Sequence, residues 1–187
     1  MRKGYALEKF IEDYFLELAG QTREMPLEQR TFRVPFSGAM KCWKGDVLTN
    51  IKWLKYQFMV ECKERRLKRK KRGVFFNLQK EWLVKLQEES YAVKRIPLFI
   101  FSFKGTCFNR LQVMIPFANC SFFDDLSIFV LSDISNGYTI NKSELDRLYT
   151  VQGYIIYLSN QWILMSWNNF CLLMEYLKKK NINDNNK

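Results

Sequence analysis

Gln57-Phe58-Met59-Val60-Glu61-Cys62-Lys63 runs apolar until it reaches its charges, and Gly45-Asp46-Val47 lies a hairpin's length upstream. Successive strand side chains point to opposite faces, so Glu61 and Lys63 share one face while Val60 and Cys62 share the other. The intervening sequence can make a tight hairpin. With Asp46 at the start of the neighbouring strand, two carboxylates and an ammonium converge at the end of a small sheet. Carboxylates that close repel unless a proton or a cation separates them. Hard oxygen ligands of this kind suit magnesium, which takes one or two carboxylates and fills its remaining positions with water and substrate phosphate. The residues therefore read as a metal-dependent phosphodiester-cleaving site. The plainer alternative is a pair of solvated, charged strand ends, because an Asp followed by Glu-x-Lys also arises by chance.

Upstream, Arg2 to Leu18 reads as an amphipathic helix. Leu7, Phe10, Ile11, Tyr14, Phe15 and Leu18 fall at the three- and four-residue spacings of one apolar face, with Glu8 at its edge. Phe32-Arg33-Val34-Pro35-Phe36-Ser37-Gly38-Ala39-Met40-Lys41 follows as a brief strand and a Ser-Gly turn. In the order Arg2-Lys3-Gly4, Glu8, Arg33, Ser37-Gly38, Asp46, Glu61 and Lys63, the chain resembles the archaeal-type Holliday junction resolvases, a branch of the PD-(D/E)xK nuclease superfamily. The resemblance covers about residues 1–103, because Leu78–Ser90 looks like that family's next helix and Pro97–Phe103 like its next strand. It departs at Gly45, where the family usually has Pro, and in a somewhat long connection from Asp46 to Glu61. It does not reach the residues beyond about 104.

The resemblance implies a restriction-endonuclease-like α/β fold, a mixed sheet flanked by helices over residues 1–103; the residues beyond it read as a smaller C-terminal α+β extension over 104–178. It implies that Asp46 and Glu61 bind magnesium (manganese substituting), helped by the backbone carbonyl of Cys62 and by Glu8 through water. Lys63 would orient or activate the attacking water. Arg33 and Ser37 would hold phosphates near the scissile bond, and Gln79 would either face the site or lie on the plain helix surface. The substrate implied is branched double-stranded DNA. Symmetric cutting of a four-way junction needs two sites, hence a homodimer.

Composition agrees with a nucleic-acid partner. There are 30 Lys and Arg against 19 Asp and Glu, a net charge of +11. Eight of the ten residues from Lys63 to Arg72 are basic. Arg65, Arg66, Lys68, Arg69, Lys70, Lys71 and Arg72, together with Arg2, Lys3 and Lys41, are the candidate phosphate contacts. Binding through them should weaken steeply with salt. A solvated loop or a localisation signal would share this composition.

Histidine is absent, which removes Ser-His and Cys-His catalysis and zinc sites with imidazole ligands. Carboxylate and lysine chemistry remains. Cys42, Cys62, Cys107, Cys120 and Cys171 form no Cys-x-x-Cys pair, which argues against a zinc ribbon or disulfide framework. The charged N-terminus lacks an apolar signal core, and no run of about 18 apolar residues is present. An intracellular, cytoplasmic protein without a membrane span is expected, one that suits a virus or mobile element.

Further elements are predicted on periodicity. Gln79–Ser90 should be a helix with Trp82, Leu83 and Leu86 inward, and Ile96–Phe103 a strand buried on both faces and ended at Gly105. Leu111–Ile115 and Ser127–Leu131 look strand-like. Ser143–Tyr149 reads as a helix capped by Ser143. Tyr154–Leu158 and Trp162–Met165 read as paired strands, and Trp167–Lys178 as a final helix with Phe170, Leu173, Met174 and Leu177 inward. Lys179–Lys187 is expected to be a disordered tail. Phe117, Phe122, Phe123, Tyr154, Tyr157, Trp162 and Trp167 could either stack on exposed bases or form core. Two other functions fit the same residues: a superfamily nuclease acting on other DNA in restriction, repair or phage replication, and a non-catalytic nucleic-acid-binding module.

Overall fold

The computed structural model describes residues 5–35, 44–70, 73–104, 110–116, 129–133, 139–150, 153–157 and 162–185. Helix α1 spans Tyr5–Ala19 and buries Leu7, Ile11 and Phe15, with Phe10, Tyr14 and Leu18 partly covered. It stops at Gly20, whose φ of 65° lies in the left-handed region open to glycine. Gln21 N donates to Leu16 O at 2.8 Å and Gly20 N to Glu17 O at 3.0 Å, closing the last turn. Glu8 and Glu12, one turn apart, are both buried. The apolar pattern does not single out Glu12, yet its carboxylate accepts the Arg33 N–H at 3.0 Å and pairs with Arg23 and Arg30. Those contacts fasten the connection after α1, and the strand beyond it, to the helix.

Eight strands among the described residues make one mixed sheet: β1 (Phe32–Arg33), β2 (Val47–Leu48), β3 (Phe58–Arg65), β6 (Ile96–Phe103), β7 (Gln112–Pro116), β8 (Phe129–Asp133), β10 (Gly153–Tyr157) and β11 (Trp162–Ser166). Their spatial order is β1-β2-β3-β6-β7-β11-β10-β8. β3 lies parallel to β6 from Phe58↔Ile96 to Arg65↔Phe103, and β10 lies parallel to β8; the other neighbours are antiparallel. Every residue of β6 is buried, as a continuous apolar run covered on both faces requires. Ile96, Leu98 and Ile100 pack with α1 and with helix α4 (Trp167–Asn185). Phe99, Phe101 and Phe103 pack on the other side with helices α2 (Lys80–Ala92) and α3 (Lys142–Thr150). The protein therefore has the expected α/β class, a restriction-endonuclease-like mixed sheet flanked by helices.

The connection from β2 to β3 is not the tight hairpin expected. Residues 49–57 form a loop wrapped around the Gln57 amide. Its Oε1 accepts Ile51 N at 2.7 Å and Thr49 Oγ1 at 3.2 Å, while Nε2 donates to Ile51 O at 2.9 Å and Leu54 O at 3.0 Å. One partly buried amide thus replaces the turn residues that a short hairpin needs. The basic run is likewise no simple loop. It finishes β3 and then supplies β4 (Lys68–Lys70), which pairs with β5 (Gly73–Asn77); β9 (Thr139–Asn141) completes a second, three-stranded sheet.

Beyond residue 104, β7, β8, β10 and β11 join the same sheet as the strands before them, β7 pairing with β6. α3 begins at Lys142, so Ser143 lies inside its first turn rather than capping it. The serine that does cap a helix is Ser166, whose Oγ accepts Asn169 N at 3.3 Å at the start of α4. α4 runs to Asn185 through most of the expected tail. Lys178 Nζ donates to Leu18 O at 2.8 Å, tying α4 to the last turn of α1, where a cation suits the carbonyl end of a helix. Trp162 and Trp167 are core, the latter 4.7 Å from the Tyr14 ring. Phe117, Phe122 and Phe123, Gly105 and the joining residues 158–161 lie outside the described residues, as do the side chains of Tyr154 and Tyr157. Glu12→Ala leaves the part-buried Arg33 N–H without its acceptor and removes the carboxylate that pairs with Arg23 and Arg30, and should lower stability by about 1–3 kcal/mol in urea unfolding.

Candidate active site

The site forms where β2 and β3 diverge. Asp46 precedes β2 and is held three times: its N donates to Val60 O at 2.7 Å, its O accepts Val34 N at 2.9 Å, and its carboxylate Oδ2 accepts Cys62 N at 2.8 Å. The side chain thereby takes over a ladder position that the sheet has lost, and the carboxylate is fixed beside the backbone between Glu61 and Lys63. Asp46 is 7% exposed. Gly45 makes this approach feasible. Its φ is 77°, and a Cβ there would meet Met59 Cγ at 2.7 Å and Val60 O at 3.1 Å. A proline, with φ locked near −65°, cannot take that conformation.

Strand alternation does the rest. Val60 and Cys62 enter the α1–α4 layer, and Glu61 and Lys63 emerge on the α2 side. Lys63 Nζ is in contact with Glu61 Oε1, both side chains being partly buried. Burial pushes the Glu61 carboxyl above its ordinary range, and the charge of Asp46 adds to the effect; Lys63 and Lys85 oppose both. Burial also raises the Cys62 thiol, and the charges of Asp46, Glu61 and Glu8 add to that, while Lys63 opposes it.

Among the described residues no three His, Cys, Asp or Glu side chains close on one point. A protein-caged ion such as a structural calcium therefore does not fit. A magnesium held by one or two carboxylates, with water and phosphate completing its shell, does fit the donor set.

The Arg33 guanidinium lies 4.0 Å from the centre of the Tyr5 ring, and its Nη1 is buried with no hydrogen-bond partner among the described residues. Arg65, Arg66 and Lys68 are exposed. Gln79 is exposed at the N-terminus of α2, and no hydrogen bond among the described residues joins it to Asp46, Glu61 or Lys63. Arg2, Lys3, Ser37, Lys41, Lys71 and Arg72 lie outside the described residues, as do the side chains of Arg69 and Lys70. Trp82 was read only as an inward helix residue. Its ring centre is 5.9 Å from Lys63 Nζ and 5.1 Å from Arg65 Cζ. A hint in the sequence is that Lys63 and Arg65 share a strand face, which helix α2 must then cover.

The family model described as "Phage putative PDDEXK endonuclease" matches residues 2–153. The fold and the Asp46, Glu61-x-Lys63 arrangement are those of a PD-(D/E)xK nuclease. The chain belongs to this phage endonuclease family, and the match runs to the first residue of β10, well past residue 104. Among solved structures it is similar to Hjc, a Holliday junction resolvase from the archaeal hyperthermophile Archaeoglobus fulgidus, at 10% identity and a TM-score of 0.44, covering 76% of this chain and 89% of that one. No curated protein matches. Among the described residues no helix is long and apolar enough to cross a membrane.

Two outcomes test this geometry. Gly45→Ala forces a Cβ into the Met59–Val60 contact at a positive φ and should cost about 1–3 kcal/mol in chemical denaturation. In the metal-free protein, Glu61→Gln should raise the melting temperature at pH 8, and the difference should vanish below the ordinary glutamate range. A carboxyl whose folded pKa is raised contributes stability below its unfolded pKa, and that contribution is lost as pH rises through the folded one. A wild type that melts higher than the variant at pH 8 without metal would contradict the raised carboxyl.

Proposed function

We propose that this nuclease is a magnesium-dependent, structure-selective DNA endonuclease that resolves four-way junctions by phosphodiester hydrolysis. One observation carries the chemistry: the Asp46 carboxylate is pinned to the Cys62 N–H beside a Glu61 that is in contact with Lys63. Two acids and one ammonium gathered at a sheet end have little use in a pure binder, which gains nothing by placing carboxylates beside phosphates.

Asp46 and Glu61 would hold the ion, with the Cys62 carbonyl beside them and Glu8 reaching it through water. Manganese would substitute. When bound, the ion supplies Lewis-acid charge at the scissile phosphate and acidifies water. Lys63 orients the attacking water and its charge steadies the developing phosphorane. The unpartnered Nη1 of Arg33 suits a phosphate oxygen near the scissile bond, with Ser37 in the same role. Arg65, Arg66, Lys68 and the rest of the basic run follow the backbone away from the site. They fix register without specifying sequence. The order of motifs from Arg2 to Lys63 supports the junction as substrate, and paired cutting of its two-fold form calls for a homodimer. The phage family supports a virus-encoded enzyme working in its host's cytoplasm.

The test uses labelled four-way junction and matched linear duplex, each with magnesium and with chelator. Paired, symmetric nicks in the junction alone are expected, and chelator should abolish them. Equal cutting of both substrates would discard the junction, and salt-sensitive binding without cleavage would discard the catalysis. Asp46→Asn and Lys63→Ala should fold and bind, with cleavage lowered by about 100-fold or more.

A further inference from the structure

The α2-facing side of β3 presents Glu61, Lys63 and Arg65 in succession, and the Trp82 ring stands beside the last two. Its centre is 5.9 Å from Lys63 Nζ and 5.1 Å from Arg65 Cζ, both within the range in which an indole attracts a cation. The ring has a firm backing. It stacks on Phe99 at 6.1 Å and 22°, Phe99 is fully buried, and Phe99 is the register partner of Glu61 on β6. Trp82 sits in the first turn of α2, so backbone holds it at both ends of this contact.

An indole anchors a cation differently from a carboxylate. Glu61 holds the Lys63 ammonium but also cancels its field. The neutral ring attracts through its quadrupole and leaves the charge available to an incoming phosphate. A single ring within reach of two like charges also fixes their spacing along the strand, where they would otherwise repel and splay.

We propose that Trp82 is a positioning residue: its ring sets Lys63 against the scissile phosphate and Arg65 against the next phosphate along the strand. This rests on the catalytic reading of Lys63 given above.

The full chain is assayed on four-way junction as wild type, W82F and W82L. Leucine keeps apolar bulk without a ring, and phenylalanine keeps the ring. In W82L, kcat should fall about tenfold. Junction binding measured in chelator should lose up to about 1.8 from its log–log salt slope, the share of two phosphate contacts. W82F should restore most of both. Phenylalanine doing no better than leucine, or W82L matching wild type, overturns the proposal. Should W82L not fold, fluorotryptophan incorporation weakens the quadrupole at nearly constant size. It should then lower kcat in the wild type and leave W82F unchanged, and any other pattern overturns the proposal. Lys63→Ala is run alongside: if it cleaves like wild type, the catalytic reading itself fails. If it is inactive while W82L is normal, only the role of Trp82 fails.

Discussion

The register of β3 on β6 is the constraint on which the rest depends. Eight consecutive pairs, from Phe58↔Ile96 to Arg65↔Phe103, fix which face each β3 side chain takes. A slip of one residue would send Glu61 and Lys63 into the α1–α4 core and expel Val60 and Cys62 from it. The buried aliphatic residues of β6 therefore determine the chemistry of its neighbour. An apolar core specifies the placement of charges that it does not touch.

Where regular pairing ends, side chains take over from backbone. Asp46 stands in for a ladder partner, Gln57 organises a connection that has no short turn, and Glu12 gathers the segment before β1. Each is a polar group largely withdrawn from water whose acceptor or donor capacity is spent on main-chain N–H or C=O groups, as burial demands. The acids divide accordingly. Glu12 is consumed by structure, whereas Glu61 is left partly desolvated beside another carboxylate and in contact with one lysine, a pair of acids suited to receiving positive charge.

The sequence was most legible where one period dominates. The α1 face from Leu7 to Phe15, the wholly buried Ile96–Phe103 and the acid-lysine alternation of β3 could all be read from residue order alone. It was less legible where long-range partners decide. Nothing local indicates that Lys68–Lys70 pairs with Gly73–Asn77 and, through it, with Thr139–Asn141. Nor does anything local show that the Asn- and Lys-rich segment after Lys178 continues a helix whose start is capped by Ser166. Trp82 illustrates the same limit at the site. Its spacing with Leu83 and Leu86 marks it as inward, but which strand residues it meets depends on where α2 lands.

Gly45 carries a lesson about how such proteins are recognised. The residue ahead of the first acid is usually taken as a proline, as though the letter itself mattered. In this chain the backbone bends the other way at that point, closely enough over Met59 that a Cβ would force its neighbours to shift, and the acid still reaches the Cys62 amide. The anchoring geometry of this chain therefore stands without the spelling. A search that insists on the proline would pass over a chain built like this one, whereas a search for a carboxylate hydrogen-bonded to the middle residue of Glu-x-Lys would find it.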